Sequence, residues 1–119
     1  MEQTEAYDLL TAGRELLASR RHHQAAKMLR RACELEPRKG SVREALARAL
    51  YNIGEMRAAA VEFEKALELN PADHYAYFGL ALCWAKLGDR PRAAGLLKIA
   101  LVMRPQSEDY RHALERLAV

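Results

Sequence analysis

Apolar residues recur along the chain at three- and four-residue steps, the spacing that lines them up on one face of a helix. Leu9, Ala12, Gly13 and Leu16 make one such stripe, and Ala25, Leu29, Ala32 and Leu35 make a second. Leu46, Ala47 and Leu50 are followed by Ala59, Phe63, Ala66 and Leu69. Tyr77, Leu80, Ala81 and Trp84 are followed by Ala93, Leu97, Ala100 and Met103. These stripes predict helices over about 5–18, 22–35, 40–53, 57–69, 73–86 and 90–103. A seventh helix, over about 107–117, has one apolar stripe and a charged remainder, which suits a terminal element with a polar outer face.

The punctuation between these stripes agrees with them. Gly54 and Gly88 stand where a helix ends, because glycine accepts the left-handed conformation at little cost. Asp89 is placed to cap the next helix, and Pro91 falls in its first turn, where a missing N–H does no harm. Pro37, Pro71 and Pro105 each force the preceding residue out of the helical region and stop a helix. The turn at 19–23 is the exception, with no glycine.

The three prolines are 34 residues apart, and a whole register travels with them. Twelve residues before each stands an alanine (Ala25, Ala59, Ala93), and eight before stands a large apolar residue (Leu29, Phe63, Leu97). A fixed period of this length marks a stack of helical hairpins. The expected organisation is a single domain, 1–119, with repeats at about 6–39, 40–73 and 74–107 and a capping helix at about 107–117.

A 34-residue helix–turn–helix unit of this kind resembles the tetratricopeptide repeat. The third unit carries the resemblance best, in Tyr77, Leu80, Ala81, Trp84, Gly88, Ala93, Leu97, Ala100 and Pro105. The first unit departs at its turn, and the second has Arg43 where the family usually has a large apolar residue. The resemblance implies an all-α fold, a right-handed superhelical solenoid of three hairpins plus the capping helix. It further implies a concave groove, lined by the first helix of each hairpin, that holds a peptide or helix of another protein. On the family's inward-facing slots the groove carries Tyr7, Leu10, Arg14 and Leu17, then Glu44, Arg48, Tyr51 and Asn52, then Tyr75, Phe78, Leu82 and Lys86. Tyr75, Phe78 and Leu82 lie on a different face from the packing stripe, so that helix must bury two faces or offer one to a partner. One alternative for Phe78 and Leu82 is packing against the last helix. The slots with which some family members grip a C-terminal carboxylate hold Leu10, Arg14, Ala45, Tyr75 and Gly79, of which only Arg14 suits that task.

Composition sharpens this picture without changing it. The 119 residues include 22 alanines but only four Val, two Ile and eight aromatics, a helix-forming mixture that excludes a strand-based domain. Fourteen arginines against five lysines hint at a bacterial, GC-rich source. No run is apolar enough to span a membrane, and the acidic start lacks the features of a secretory leader, so a cytoplasmic location is expected. Cys33 and Cys83 have no metal-ligand or disulfide spacing and read as small core residues.

Charge and chemistry add one rival reading. The net charge is +3, yet residues 20–48 hold nine basic and three acidic side chains. Such a block could meet an acidic protein surface or nucleic acid. No aromatic residue lies between Tyr7 and Tyr51 to stack a base, which makes nucleic acid the less favoured partner. His22 and His23 point apart and have no companion ligands, so no metal is expected. Ser19, Ser41 and Ser107 sit at turns and helix starts, and the six glycines form no phosphate loop. The expectation is therefore a protein-binding adaptor, scaffold or chaperone-like module with no cofactor and no catalytic set. Self-association as a homodimer through the exposed groove is the alternative from the same surface.

Overall fold

The structure, a computed structural model, describes residues 4–118; positions 1–3 and 119 at the ends of the expected domain lie outside the described residues. Among the described residues there are seven helices and no strand. They are α1 (Glu5–Ala18), α2 (His22–Leu35), α3 (Gly40–Asn52), α4 (Met56–Leu69), α5 (His74–Lys86), α6 (Arg90–Met103) and α7 (Glu108–Leu117). Each helix packs chiefly on its neighbours in sequence, giving an elongated stack of 48 × 27 × 22 Å. This is the nearest-neighbour economy of a solenoid. None of the helices is long and apolar enough to cross a membrane.

Local chemistry explains the boundaries. Thr4, Asp73, Asp89 and Ser107 accept hydrogen bonds from Tyr7, Ala76, Arg92 and Tyr110 N–H groups, capping α1, α5, α6 and α7. Glu36, Asn70 and Arg104, the residues before the three prolines, have all left the helical region, with ψ of 71°, 89° and 75°. The three turns inside the hairpins share one geometry. Gly54 and Gly88 have φ of 89° and 92°, and Arg20 takes the same left-handed conformation at φ 62° in the turn without a glycine.

The core follows the repeat. Ala25, Ala32, Ala59, Ala66, Ala93 and Ala100 are wholly buried, and Leu29, Phe63 and Leu97 between them are equally closed off. These small residues bring the helices close, while the large ones fill the space within and between hairpins. Closest approach is at two glycines. A Cβ on Gly13 would lie 2.6 Å from Leu29, and one on Gly79 would lie 2.2 Å from the Phe63 ring. Cys33 and Cys83 are buried, and that burial pushes their thiols up to about 11 and about 12, leaving them protonated.

Two expectations need correction. Leu10 and Leu17 are not groove residues but core residues, 5% and 8% exposed. The buried arc of α1 is Ala6, Leu10, Gly13 and Leu17, one residue round from the stripe expected at Leu9, Ala12, Gly13 and Leu16. The reason is that α1 lies against α3 as well as α2, so its inner arc turns toward the second hairpin. Leu9 and Leu16 are left half-buried at the edge of the stack.

Candidate partner-binding groove

The first helices of the hairpins, α1, α3 and α5, carry the side chains expected to line a groove. At its centre Arg48, Tyr51, Asn52, Tyr75 and Leu82 surround a hollow of about 250 Å³, with Phe63 and Gly79 as its floor. Here the absent Cβ of Gly79 lets α5 approach the Phe63 ring. The Arg48 guanidinium lies over the Tyr75 ring, 5.3 Å from its centroid, holding both walls in place. Burial raises the Tyr51 hydroxyl pKa, with Cys83 and Tyr75 adding to the effect, so this wall presents a neutral phenol.

A carboxyl lies beside this centre. Glu44 on α3 is half-buried and faces Asp73, the cap of α5, at hydrogen-bonding range. Burial first, then the hydrogen bond and charge of Asp73, push the Glu44 carboxyl up to about 8, against the opposing pull of Arg48 and Arg14. Glu44 is therefore largely protonated near neutral pH, and the positive charges of Arg14 and Arg48 dominate this part of the rim.

Toward α7 the groove becomes aromatic. Tyr75 meets Phe78 edge to face with centroids 5.9 Å apart, and Phe78 meets Tyr110 of α7 at 4.8 Å. Phe78 thus packs in part against the last helix, and Leu82 also lines the gap between α5 and α7. Beyond Phe78 opens a cleft of about 520 Å³ between the start of α5 and the α6–α7 turn. One of its walls is a hydrogen-bonded chain that the sequence did not reveal. Arg104 Nε donates to His74 Nε2 at 3.0 Å, and His74 Nδ1 lies 2.6 Å from the Tyr110 hydroxyl. With Nε2 accepting, the neutral ring carries its hydrogen on Nδ1 and donates it to Tyr110. Arg104 and Tyr110 are 30 and 36 positions from His74, so no local spacing announces the chain.

The expected set is thus brought together in part. Arg48, Tyr51, Asn52, Tyr75 and Leu82 converge on one hollow, with Glu44 and Arg14 in electrostatic reach of each other beside it. Tyr7 and Lys86 are exposed near the two ends of the row. Leu10 and Leu17 belong to the core. Among the described residues no group of three His, Cys, Asp or Glu side chains is placed to hold a metal ion.

Comparison with known proteins places this architecture. The family profile for the tetratricopeptide repeat matches residues 10–67 and again 44–108. No curated protein matches the chain at a significant level. Among solved structures, the first repeat domain of Spaghetti (RPAP3), bound to the HSP90 peptide SRMEEVD, superposes with a TM-score of 0.93 at 15% identity, covering 99% of this chain and 94% of that one. YrrB, a repeat protein with an unusual peptide-binding site, gives 0.87 at 23% identity, covering 97% of this chain and 58% of its own. The Yersinia enterocolitica type III secretion translocator chaperone SycD gives 0.83 at 15% identity, covering 98% and 82%. With the profile spanning most of the sequence and the fold matching throughout, the chain belongs to the tetratricopeptide repeat family.

Proposed function

We propose that this chain is a protein-interaction module whose concave groove takes an apolar or amphipathic segment of a partner protein. The observation that carries this reading is the hollow between Arg48, Tyr51, Asn52, Tyr75 and Leu82, an open depression with apolar surface from the rings and Leu82 and polar groups from Arg48, Tyr51 and Asn52, which no side chain among the described residues occupies. Such a depression gains from burying an apolar side chain at roughly 25 cal/mol per Å², before ordering costs are subtracted. Arg14 and Arg48 orient the occupant from the rim, while Glu44 withholds its negative charge. Structural neighbours that bind a peptide or act as a chaperone lend the reading general support. The grip is not that of a carboxylate clamp. Leu10, Ala45 and Gly79 occupy the polar slots, Tyr75 lies under Arg48, and Arg14 alone remains.

The test is retention of partners from a nuclease-treated native lysate by wild type and by a Tyr75→Ala/Leu82→Ala variant. Phe78 is left intact, because its contact with Tyr110 helps to seat α7. A protein held by wild type and lost by a variant with an unchanged helical circular dichroism spectrum supports the groove. Equal retention by both sinks the assignment.

A further inference from the structure

The second helices of the three hairpins, α2, α4 and α6, present five outward positions each in the same register. On α2 these are His23, Lys27, Arg30, Arg31 and Glu34, and on α4 they are Arg57, Val61, Glu64, Lys65 and Glu68. On α6 they are Pro91, Gly95, Lys98, Ile99 and Val102. All fifteen are exposed. Four of the five are charged on α2 and on α4, but only one on α6.

Water alone asks nothing of such a face except polarity and helix propensity, and α6 offers neither. Val102 is 80% exposed and Ile99 42%. Both are β-branched, and Gly95 is a poorer helix former still. Gly13 and Gly79 repay that cost by letting helices meet, whereas a Cβ on Gly95 would touch nothing within 4 Å, and Gly95 is not among the glycines with positive φ. Nothing inside the chain calls for glycine there. A bare backbone flanked by Ile99 and Val102 on one arc is the shape that admits a second helix at close range.

Charge selects the occupant. The charged residues of α6 itself are Arg90, Arg92 and Lys98, with Arg104 just beyond, and α6 holds no acid; Asp89, its cap, pairs with Arg92 at 3.5 Å. A second copy set on this face through its own α6 would bring lysine and arginine against lysine and arginine. We propose that the outer face of α6 docks a helix of a partner protein whose apolar stripe is flanked by acidic residues, at a surface separate from the concave groove. Ile99 and Val102 supply the apolar contact, Gly95 the close approach, and Lys98 the complementary charge.

A displayed library of helical peptides selected on the wild-type chain, with Val102→Glu as counter-target, tests this. The expected winners carry a small residue within an apolar stripe and Asp or Glu beside it. Their binding should weaken at least about tenfold in Val102→Glu and in Gly95→Leu and change less than about twofold in Tyr75→Ala. Because Gly95 faces open space, Gly95→Leu should raise the melting temperature, so its loss of binding cannot be a loss of fold. The proposal is overturned if no peptide distinguishes wild type from Val102→Glu, or if the winners are basic. It is overturned equally if Tyr75→Ala abolishes binding, which would seat the peptides in the groove and leave that reading standing. Wild-type self-association in sedimentation that Val102→Glu removes would give the face to a second copy and overturn it too.

Discussion

The seam between the first and second hairpins and the seam between the second and third are built in one register from different residues. At the first, Leu29 belongs with Ala45 one unit on, and Arg43 and Leu50 stand where the second has Tyr77 and Trp84. At the second, the larger Phe63 meets Gly79. The first seam is edged by an ion pair that lies within the second hairpin, between α3 and α4. Arg43 reaches Glu62 at 2.8 Å and the Pro37 carbonyl at 3.0 Å, with both side chains of the ion pair only 15% and 13% exposed. A hollow of about 580 Å³ stays open over Leu46 and Leu50. The second seam is closed by aromatic volume, with Trp84 packed against both core clusters and the Arg92 guanidinium 4.2 Å over its ring. The lesson is that one register accepts different side chains at its two seams. A large residue on one side is balanced by a small one on the other, and where the apolar pair is absent an ion pair inside the hairpin takes its place beside the seam.

The sharpest way to break this comparison is at Gly79. Gly79→Ala drives a methyl into the Phe63 ring and should cost about 2–3 kcal/mol, read by urea denaturation. Adding Phe63→Leu recreates the Leu29–Ala45 pairing and should recover most of the loss, a coupling that a double-mutant cycle measures directly. Independent, additive costs would mean the seams do not trade volume.

Next comes the ion pair. Arg43→Ala leaves Glu62 half-enclosed with only Lys65, at 3.6 Å, in reach and should cost about 1–2 kcal/mol. Arg43→Tyr with Glu62→Leu, which copies Tyr77 and Leu96 from the third hairpin, should be neutral or stabilising, as replacing both partners of an enclosed pair often is.

The concave side of the second seam carries its own asymmetry, Glu44 and Asp73 where the first seam has Leu10 and Lys39. The Glu44 carboxyl is raised from 4.5 to about 8. Between those values the folded chain holds a proton that the unfolded chain has released, so this group makes stability fall as pH rises through the window. Glu44→Gln should flatten that slope and stabilise the chain by about 1–2 kcal/mol near pH 9, after discounting for solvent and coupling, with denaturation midpoints at stepped pH as the check.

The smallest effect concerns the turns. Arg20 holds the left-handed conformation that Gly54 and Gly88 hold in the other hairpins. Arg20→Gly should raise stability by about 0.5–1 kcal/mol, while Gly54→Ala and Gly88→Ala should lower it by a similar amount. A thermal melt of the three variants separates the cases.

Much of this was legible in the sequence because it depends on local spacing. Helix bounds, caps and the stops before the prolines are short-range chemistry, and the predicted limits of α1, α2 and α6 coincide with those observed. The buried columns of alanine with Leu29, Phe63 and Leu97 were equally plain from the 34-residue register. The groove was legible only where the repeat is regular. Arg48, Tyr51, Asn52, Tyr75 and Leu82 converge, whereas Leu10 and Leu17 lie in the core because α1 turns its inner arc toward α3 of the second hairpin. The rotation of a terminal helix is set by what it touches, which periodicity within that helix does not record.

What the sequence determined by itself, then, is the repeat: which segments are helical, where each turns, and which face of each hairpin is apolar. These follow from backbone geometry and from hydrophobic periodicity, both properties of a few neighbouring residues. The tertiary structure alone decided the partners across those elements. It decided that Phe63 requires Gly79, that Arg43 reaches Glu62, that Asp73 raises Glu44, and that Arg104, His74 and Tyr110 form one chain. Each joins residues 16 to 36 positions apart, and such contacts depend on the angle and distance between packed helices. Those quantities are fixed by the summed volumes of all the side chains in a seam, and no single stretch of sequence carries that sum.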